Sequence, residues 1–173
     1  LSIDTQRPTA TIVVSGTARR VGETSVVSIT VAEAVSGFAL DDLSAGNGSL
    51  SGLSSGDGGI TWTATFTPDA GVPDTTNVIT LDNTGVSDAA GNTGSGTTDS
   101  NNYAMDTQRP TATIVVADTA LNIGETSLVT ITFSEAVTGF TLADLTVANG
   151  SLSGLSSSDG GITWTATFTP SSN

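Results

Sequence analysis

The sequence predicts an all-β chain folded as antiparallel two-sheet sandwiches in tandem, and three observations carry that reading. Residues 60–67 read ITWTATFT, which puts Ile60, Trp62, Ala64 and Phe66 on one face and threonines on the other. Period two belongs to a half-buried strand, whereas a helix would scatter that set around its circumference. Residues 4–14 read DTQRPTATIVV, as do residues 106–116, and the match runs without a gap to Pro68 and Pro170 with 49 of 65 aligned pairs identical. A repeat this long marks duplicated domains rather than a solenoid unit. Finally, the chain is rich in Thr, Ser and Gly and lacks long runs of good helix formers, a composition that favours strands and turns.

Each strand follows from its own alternation. Thr9–Ser15 places Ala10, Ile12 and Val14 on one face, and Ser25–Val31 does the same with Val27, Ile29 and Val31, matched by Val129, Ile131 and Phe133 in the second copy. Asn77–Leu81 reads as a further strand and Asn101–Met105 as a short last one. Asn47-Gly48 and Asn149-Gly150 suit tight hairpins. Gly56–Gly59 and Asp88–Asn92 read as loops. About seven short strands in roughly 100 residues fit an immunoglobulin-like antiparallel β-sandwich. With 0 Cys there is no inter-sheet disulfide, so Trp62 and Phe66 must supply much of the core. Burying each stabilises by about 2–3 kcal/mol.

The repeat sets the expected domains. Leu1-Ser2-Ile3 stands where Tyr103-Ala104-Met105 stands before the second DTQRP, so residues 1–3 read as the tail of a preceding module. Residues 4–105 read as a complete module, and residues 106–173 as a second one lacking its C-terminal strands.

Charge narrows the function. The chain carries 17 acidic residues against 4 basic ones, a net −13. Such a chain repels nucleic acid and anionic lipid, so neither is expected as a partner. The absence of Cys and His removes thiol catalysis, His-based acid–base chemistry and ordinary Cys/His zinc sites. Asp41-Asp42 point to opposite faces of a strand and cannot cooperate as paired carboxylates. No enzymatic activity is expected. No apolar run is long enough to insert this segment in a membrane. The acidic side chains would accept hard cations, which makes calcium the first cofactor to consider.

Three phrases carry a family resemblance: DTQRPT, the EAVSGF-to-DDL run at residues 33–43 with its counterpart SEAVTGFTLADL at 134–145, and SDAAGN. Together they resemble the bacterial Ig-like modules of giant Bap-like and RTX-type surface adhesins. The resemblance covers essentially the whole chain. It implies an extracellular stalk on the bacterial cell surface or in the biofilm matrix, a role in cell adhesion, and calcium stiffening between modules.

In a sandwich of this topology the linker enters at one pole, beside the loop after the second strand and the loop between the last two. Asp4, Glu33, Asp88 and Asn92 are therefore expected to converge as oxygen ligands for calcium, which takes six to eight oxygens. For the second module the same pole offers Asp106 and Glu135, and the opposite pole of the first offers Glu23, Asp69 and Asp74, a second candidate set at the module junction. Plainer roles stand beside these: Asp4 capping a turn before Pro8, Asp88 and Asn92 as turn residues, and Glu33 as an edge charge that discourages sheet pairing. No EF-hand or RTX nonapeptide motif is present.

The leading functional expectation is a structural spacer whose partners are neighbouring modules of its own chain. One alternative is a module that binds a glycan or a host or matrix surface through loops at one pole, with Tyr103 as the aromatic residue outside the core. Another is an assembly module that exchanges strands with another chain. Arg7 and Arg109 in the linkers would orient the joint, and Arg19-Arg20, replaced by Leu121-Asn122 in the second copy, read as a variable loop. Asn47-Gly48-Ser49 and Asn149-Gly150-Ser151 match a glycosylation sequon but read as turns.

Overall fold

The structure, a computed structural model, describes residues 3–16 and 20–172. Leu1 and Ser2 of the expected preceding tail, and Arg19 of the variable loop, lie outside the described residues. The chain divides into two units, residues 1–109 and 110–173.

The first unit is a two-layer antiparallel β-sandwich of the immunoglobulin-like class. Its first layer is formed by β1 (Ala10–Val14), β2 (Ser25–Val31), β5 (Gly48–Ser55) and β6 (Thr61–Pro68), in the order β1-β2-β6-β5. In β1, β2 and β6 the alternation that predicted the strand is reflected in its burial, whereas β5 was not expected and holds no buried residue. In β2, Ser25, Val27, Ile29 and Val31 are all buried. Register places Ile12 opposite Ile29, Val27 opposite Ala64 and Ile29 opposite Trp62, so the apolar faces coincide.

The second layer is made of shorter pieces. β4 (Leu43–Ala45), β8 (Ile79–Asp82) and β10 (Thr97–Asp99) pair in the order β10-β8-β4. β7 (Pro73–Asn77) pairs with β11 (Tyr103–Asp106), and β3 (Val35–Ser36) with β9 (Ser87–Asp88). Ile79, Leu81, Tyr103 and Met105 from this layer close over Ile12, Val27, Ile29 and Phe66 from the first. Phe66 meets Tyr103 edge-on at 5.1 Å between centroids, a geometry that aligns the positive ring edge with the negative face.

Several expectations give way here. Tyr103, read as the spare aromatic, is 1% exposed and packs in the core, because the last strand's inward positions are Tyr103 and Met105. Ile60 is 41% exposed and precedes its strand. Its N–H and that of Thr61 turn to the Asp57 carboxylate, so the ladder starts one residue later than the alternation suggested. Trp62 is half-buried at the rim of the core, where it packs edge-on against Phe38 at 5.1 Å and donates its indole N–H to the Gly59 carbonyl. Asn77–Leu81 is two strands, β7 and β8, that serve different partners. Buried Asn77 makes the break: its amide donates to the Asp74 and Tyr103 carbonyls, and its N–H to Asn102.

Asn47-Gly48 is no hairpin. Asn47 has φ of 59°, the left-handed conformation Asn tolerates, but the strands it joins, β4 and β5, belong to different layers. Gly48 is required for another reason. A Cβ there would meet the Phe66 ring and come within 2.6 Å of the Thr67 carbonyl. Asn47 also donates to Asp74 and Asn77, so its side chain is committed within the fold.

The second unit repeats the first layer: β12 (Ala112–Val116), β13 (Ser127–Phe133), β14 (Gly150–Ser157) and β15 (Thr163–Pro170) in the order β12-β13-β15-β14. The registers repeat as well, with Ile114 opposite Ile131 and Ile131 opposite Trp164. Among its described residues there is no second layer.

Candidate functional site

One pole of the first unit gathers acidic side chains from three separate stretches of chain. Asp4 lies in the extended segment before β1, Glu33 in the loop between β2 and β3, and Asp88 at the end of β9. One carboxylate oxygen from each lies within 4.8 Å of the other two. Among the described residues this is the group of three acidic side chains close enough to share a cation.

Local geometry explains how the three are held. The Asp4 carboxylate accepts the Gln6 N–H at 2.9 Å, an Asx turn set by the segment that leads to buried Pro8. Asp88 is clamped by Asn92, whose backbone N–H donates to Oδ1 at 2.8 Å and whose side-chain amide donates to Oδ2 at 2.7 Å. The same amide nitrogen reaches the Asp4 carbonyl at 3.2 Å. Asn92 therefore joins the predicted set through its N–H groups, holding Asp88 and the lead-in segment together. Arg7 adds a second tie, donating to the Thr93 carbonyl at 2.7 Å.

The electrostatics are those of crowded anions. Glu33 has its carboxyl raised above the ordinary value by loss of solvent and by the charges of Asp4 and Asp88. Asp88 is 4% exposed. Loss of solvent pushes its carboxyl up, but hydrogen bonds from the Asn92 side chain and backbone, with those of Ala90 and Gly91, outweigh it and hold the group low. The pole thus keeps Asp88 ionised and leaves Glu33 repelled by its neighbours. Three hard oxygen donors in this state suit a hard divalent cation.

Of the second candidate set, Glu23, Asp69, Asp74 and Asp106 lie in the first unit and Glu135 in the second. Within the first unit, the Glu23 carboxylate accepts the Arg20 N–H, Asp74 accepts Asn47 and Thr76, and Asp106 accepts the Gln108 N–H. Asp69 contributes its carbonyl to Thr107. Among the described residues, none of these four belongs to a group of three acids in reach of one ion. Glu135 lies in the loop after β13 in the second unit, half-buried.

Two structural positions escape the sequence reading. Thr107, the second residue of the linker repeat, is 2% exposed and bonded into the loop before β7. Its hydroxyl donates to the Asp69 carbonyl at 2.6 Å and accepts the Val72 N–H at 2.9 Å, while its backbone exchanges bonds with Gly71 and Val72. Asp57 closes the loop between β5 and β6 by accepting Ser55, Ile60 and Thr61, which lowers its carboxyl to about 2, chiefly through the Thr61 N–H. Asp159 does the same in the second unit, also at about 2. The signal was present as Ser-x-Asp-Gly-Gly at 55–59 and 157–161, but an acid in a glycine loop looks like any turn.

No curated protein matches the chain. Among solved structures it is similar to FdeC, an Escherichia coli adhesin, at 14% identity and a TM-score of 0.47, over 94% of this chain and 55% of that one. It is similar also to the Yersinia pseudotuberculosis adhesin InvE, at 15% identity and a TM-score of 0.39, over 93% of this chain and 51% of that one. The chain spans about half the length of either. The model of the bacterial Ig-like domain matches residues 4–105 and again residues 106–173. With both copies matched, the chain belongs to the bacterial Ig-like domain family.

Proposed function

We propose that this chain is a spacer segment of an extracellular bacterial adhesin, displayed at the cell surface, and that calcium bound by Asp4, Glu33 and Asp88 stiffens the first module against the linker that precedes it. The observation that carries the reading is the convergence of three carboxylates from three stretches of chain within 4.8 Å. Like charges brought together by a fold cost stability unless a cation joins them. Asp4 belongs to the linker repeat, whereas Glu33 and Asp88 belong to the body of the sandwich. A cation shared by all three would fix the linker to the module, with water completing the shell of six to eight oxygens.

Calorimetry of the whole chain in calcium and in chelator tests this. A ligand at 100 times its Kd stabilises the folded state by about 2.7 kcal/mol. For a domain of about 100 residues that raises the first unit's Tm by about 10–20 °C. Identical melting curves in calcium and in chelator would remove calcium from the account and leave only the spacer. With Tyr103 buried in the core, no observation favours a surface-binding role over this one.

A further inference from the structure

Two asparagines of the chain are followed by glycine, Asn47 and Asn149, at the same place in both copies. The fold imposes the pair. Asn47 has φ of 59° and Asn149 of 57°, a conformation that excludes most side chains but that Asn tolerates. Gly48 and Gly150 lie against the Phe66 and Phe168 rings, where a Cβ has no room. Asn-Gly is also the dipeptide most open to ring closure, because glycine carries no side chain to shield its backbone nitrogen.

In the first unit the two reacting groups are held differently. The Asn47 carbonyl accepts the Asp69 N–H at 2.9 Å, so Asn47 continues the β5–β6 ladder at a bonded position, and the next residue, Gly48, turns its N–H away from β6. β5 is the edge of its sheet, with no strand on that side among the described residues. The Asn47 amide, by contrast, is clasped: its Nδ2 donates to Asp74 Oδ2 and to Asn77 Oδ1, both at 3.0 Å. Asn77 is 5% exposed, and its own amide donates to the Tyr103 carbonyl of β11. The nucleophile faces outward and the electrophile is pinned to β7.

We propose that Asn47 is a site of spontaneous deamidation, gated by its clasp to β7, whose product loosens the hold on the last strand. The Gly48 nitrogen, once it has given up its proton, attacks Cγ of Asn47. A bond forms between that nitrogen and Cγ, the Cγ–Nδ2 bond breaks, and Nδ2 takes up a proton and leaves as ammonia. Water then adds to either carbonyl of the succinimide ring and opens it, giving aspartate or isoaspartate at this position. Ring closure needs the Asn47 side chain to rotate, which both hydrogen bonds oppose, so the reaction waits until Asp74 and Asn77 draw away. Refolding does not reverse it. The product has lost both N–H donors, and its carboxylate stands where the amide faced Asp74, so like charges meet. Asn77 loses a donor in the same event, beside the bond by which it holds Tyr103.

The test keeps the whole chain in mildly alkaline buffer and samples it over time by peptide mass spectrometry, which reads the exchange of NH for O at position 47 separately from position 149. The folded parent should convert at Asn47 at least about tenfold more slowly than the same chain in urea, since two hydrogen bonds must break before the ring closes. Asp74→Ala removes one arm of the clasp and should speed conversion by at least about threefold. Asn47→Asp, which carries the product's charge, should lower the first unit's melting temperature, followed by Trp62 fluorescence in a Trp164→Phe background. Conversion as fast in the folded chain as in urea, a folded Asp74→Ala chain no faster than the parent, or an Asn47→Asp chain that melts no lower would each overturn the proposal. Should circular dichroism show Asp74→Ala unfolded, the folded and urea-treated parent together with Asn47→Asp decide.

Discussion

Phe66 and Phe168 occupy the same place in the same strand of two nearly identical sheets, yet only Phe66 is covered. Phe66 is 0% exposed and meets Tyr103 edge-on at 5.1 Å. Truncating such a ring to Ala costs about 3–5 kcal/mol, of which the ring pair accounts for about 0.5–1.5 kcal/mol. Against a typical domain stability of about 5–15 kcal/mol that is a large share. With a urea slope of about 2 kcal/mol/M, the first unit's midpoint should fall by about 2 M. Phe168 is only half-buried, and nothing in its unit plays the part of Tyr103 among the described residues. Phe168→Ala should cost no more than about half as much, since the water-accessible part of a ring gives up little on truncation. Urea titration of the whole chain reads both. Trp62 fluorescence reports the first unit in a Trp164→Phe background, and Trp164 reports the second in a Trp62→Phe background. A Phe66→Ala midpoint shift below about 0.5 M would refute the claim that the second layer seals this core.

Three further outcomes follow from the described contacts. Glu33→Gln removes a charge that Asp4 and Asp88 repel, so in chelator the variant should melt no lower than the parent, while in calcium it should lose most of the parent's upward shift; calorimetry in both buffers checks the crossing. Asp57 and Asp159 are held at about 2 against an ordinary 3.8, so their contribution is fully present above pH 3.8 and lost as pH falls from there toward 2; circular dichroism during acid titration should show Asp57→Asn flattening that dependence in the first unit. Raised Glu33 acts in the opposite sense, since protonating it relieves repulsion. Asn101 accepts the Val14 N–H and donates to the Val14 carbonyl, standing in for a neighbouring strand, so Asn101→Ala should cost about 1–2 kcal/mol in urea titration.

Three strands of the first layer were legible because their apolar residues alternate, whereas β5, Gly48–Ser55, was missed because its run of Ser and Gly offers little apolar contrast. Ser25–Val31 needed no adjustment, and ITWTATFT needed a shift of one residue, caused by the Asp57 loop. The second layer was legible only in outline. Its strands are two to five residues long, too short for alternation to speak, and its breaks are set by side chains such as Asn77 that bond to distant backbone. Tyr103 was misplaced for that reason: in a four-residue strand nothing local says which face is inward. The acidic pole was found because its logic is topological. Once the strand order is known, the linker, the β2–β3 loop and the loop beyond β9 must share one end. What the sequence could not convey was the direction of the Asn92 amide, or that Thr107 is bonded into the module it follows.

The Asp57 loop has a consequence for how a repetitive chain comes together. Copies sharing 49 of 65 positions are at constant hazard of exchanging strands with a neighbour, a characteristic failure of repeat proteins. The hairpin of β5 and β6 avoids it by closing over a handful of residues, with its own carboxylate gathering the turn. Short loops close in nanoseconds to microseconds, long before a copy one repeat away can compete. Both copies therefore carry a hairpin that closes from adjacent residues, a pairing for which a similar neighbour offers no shorter route.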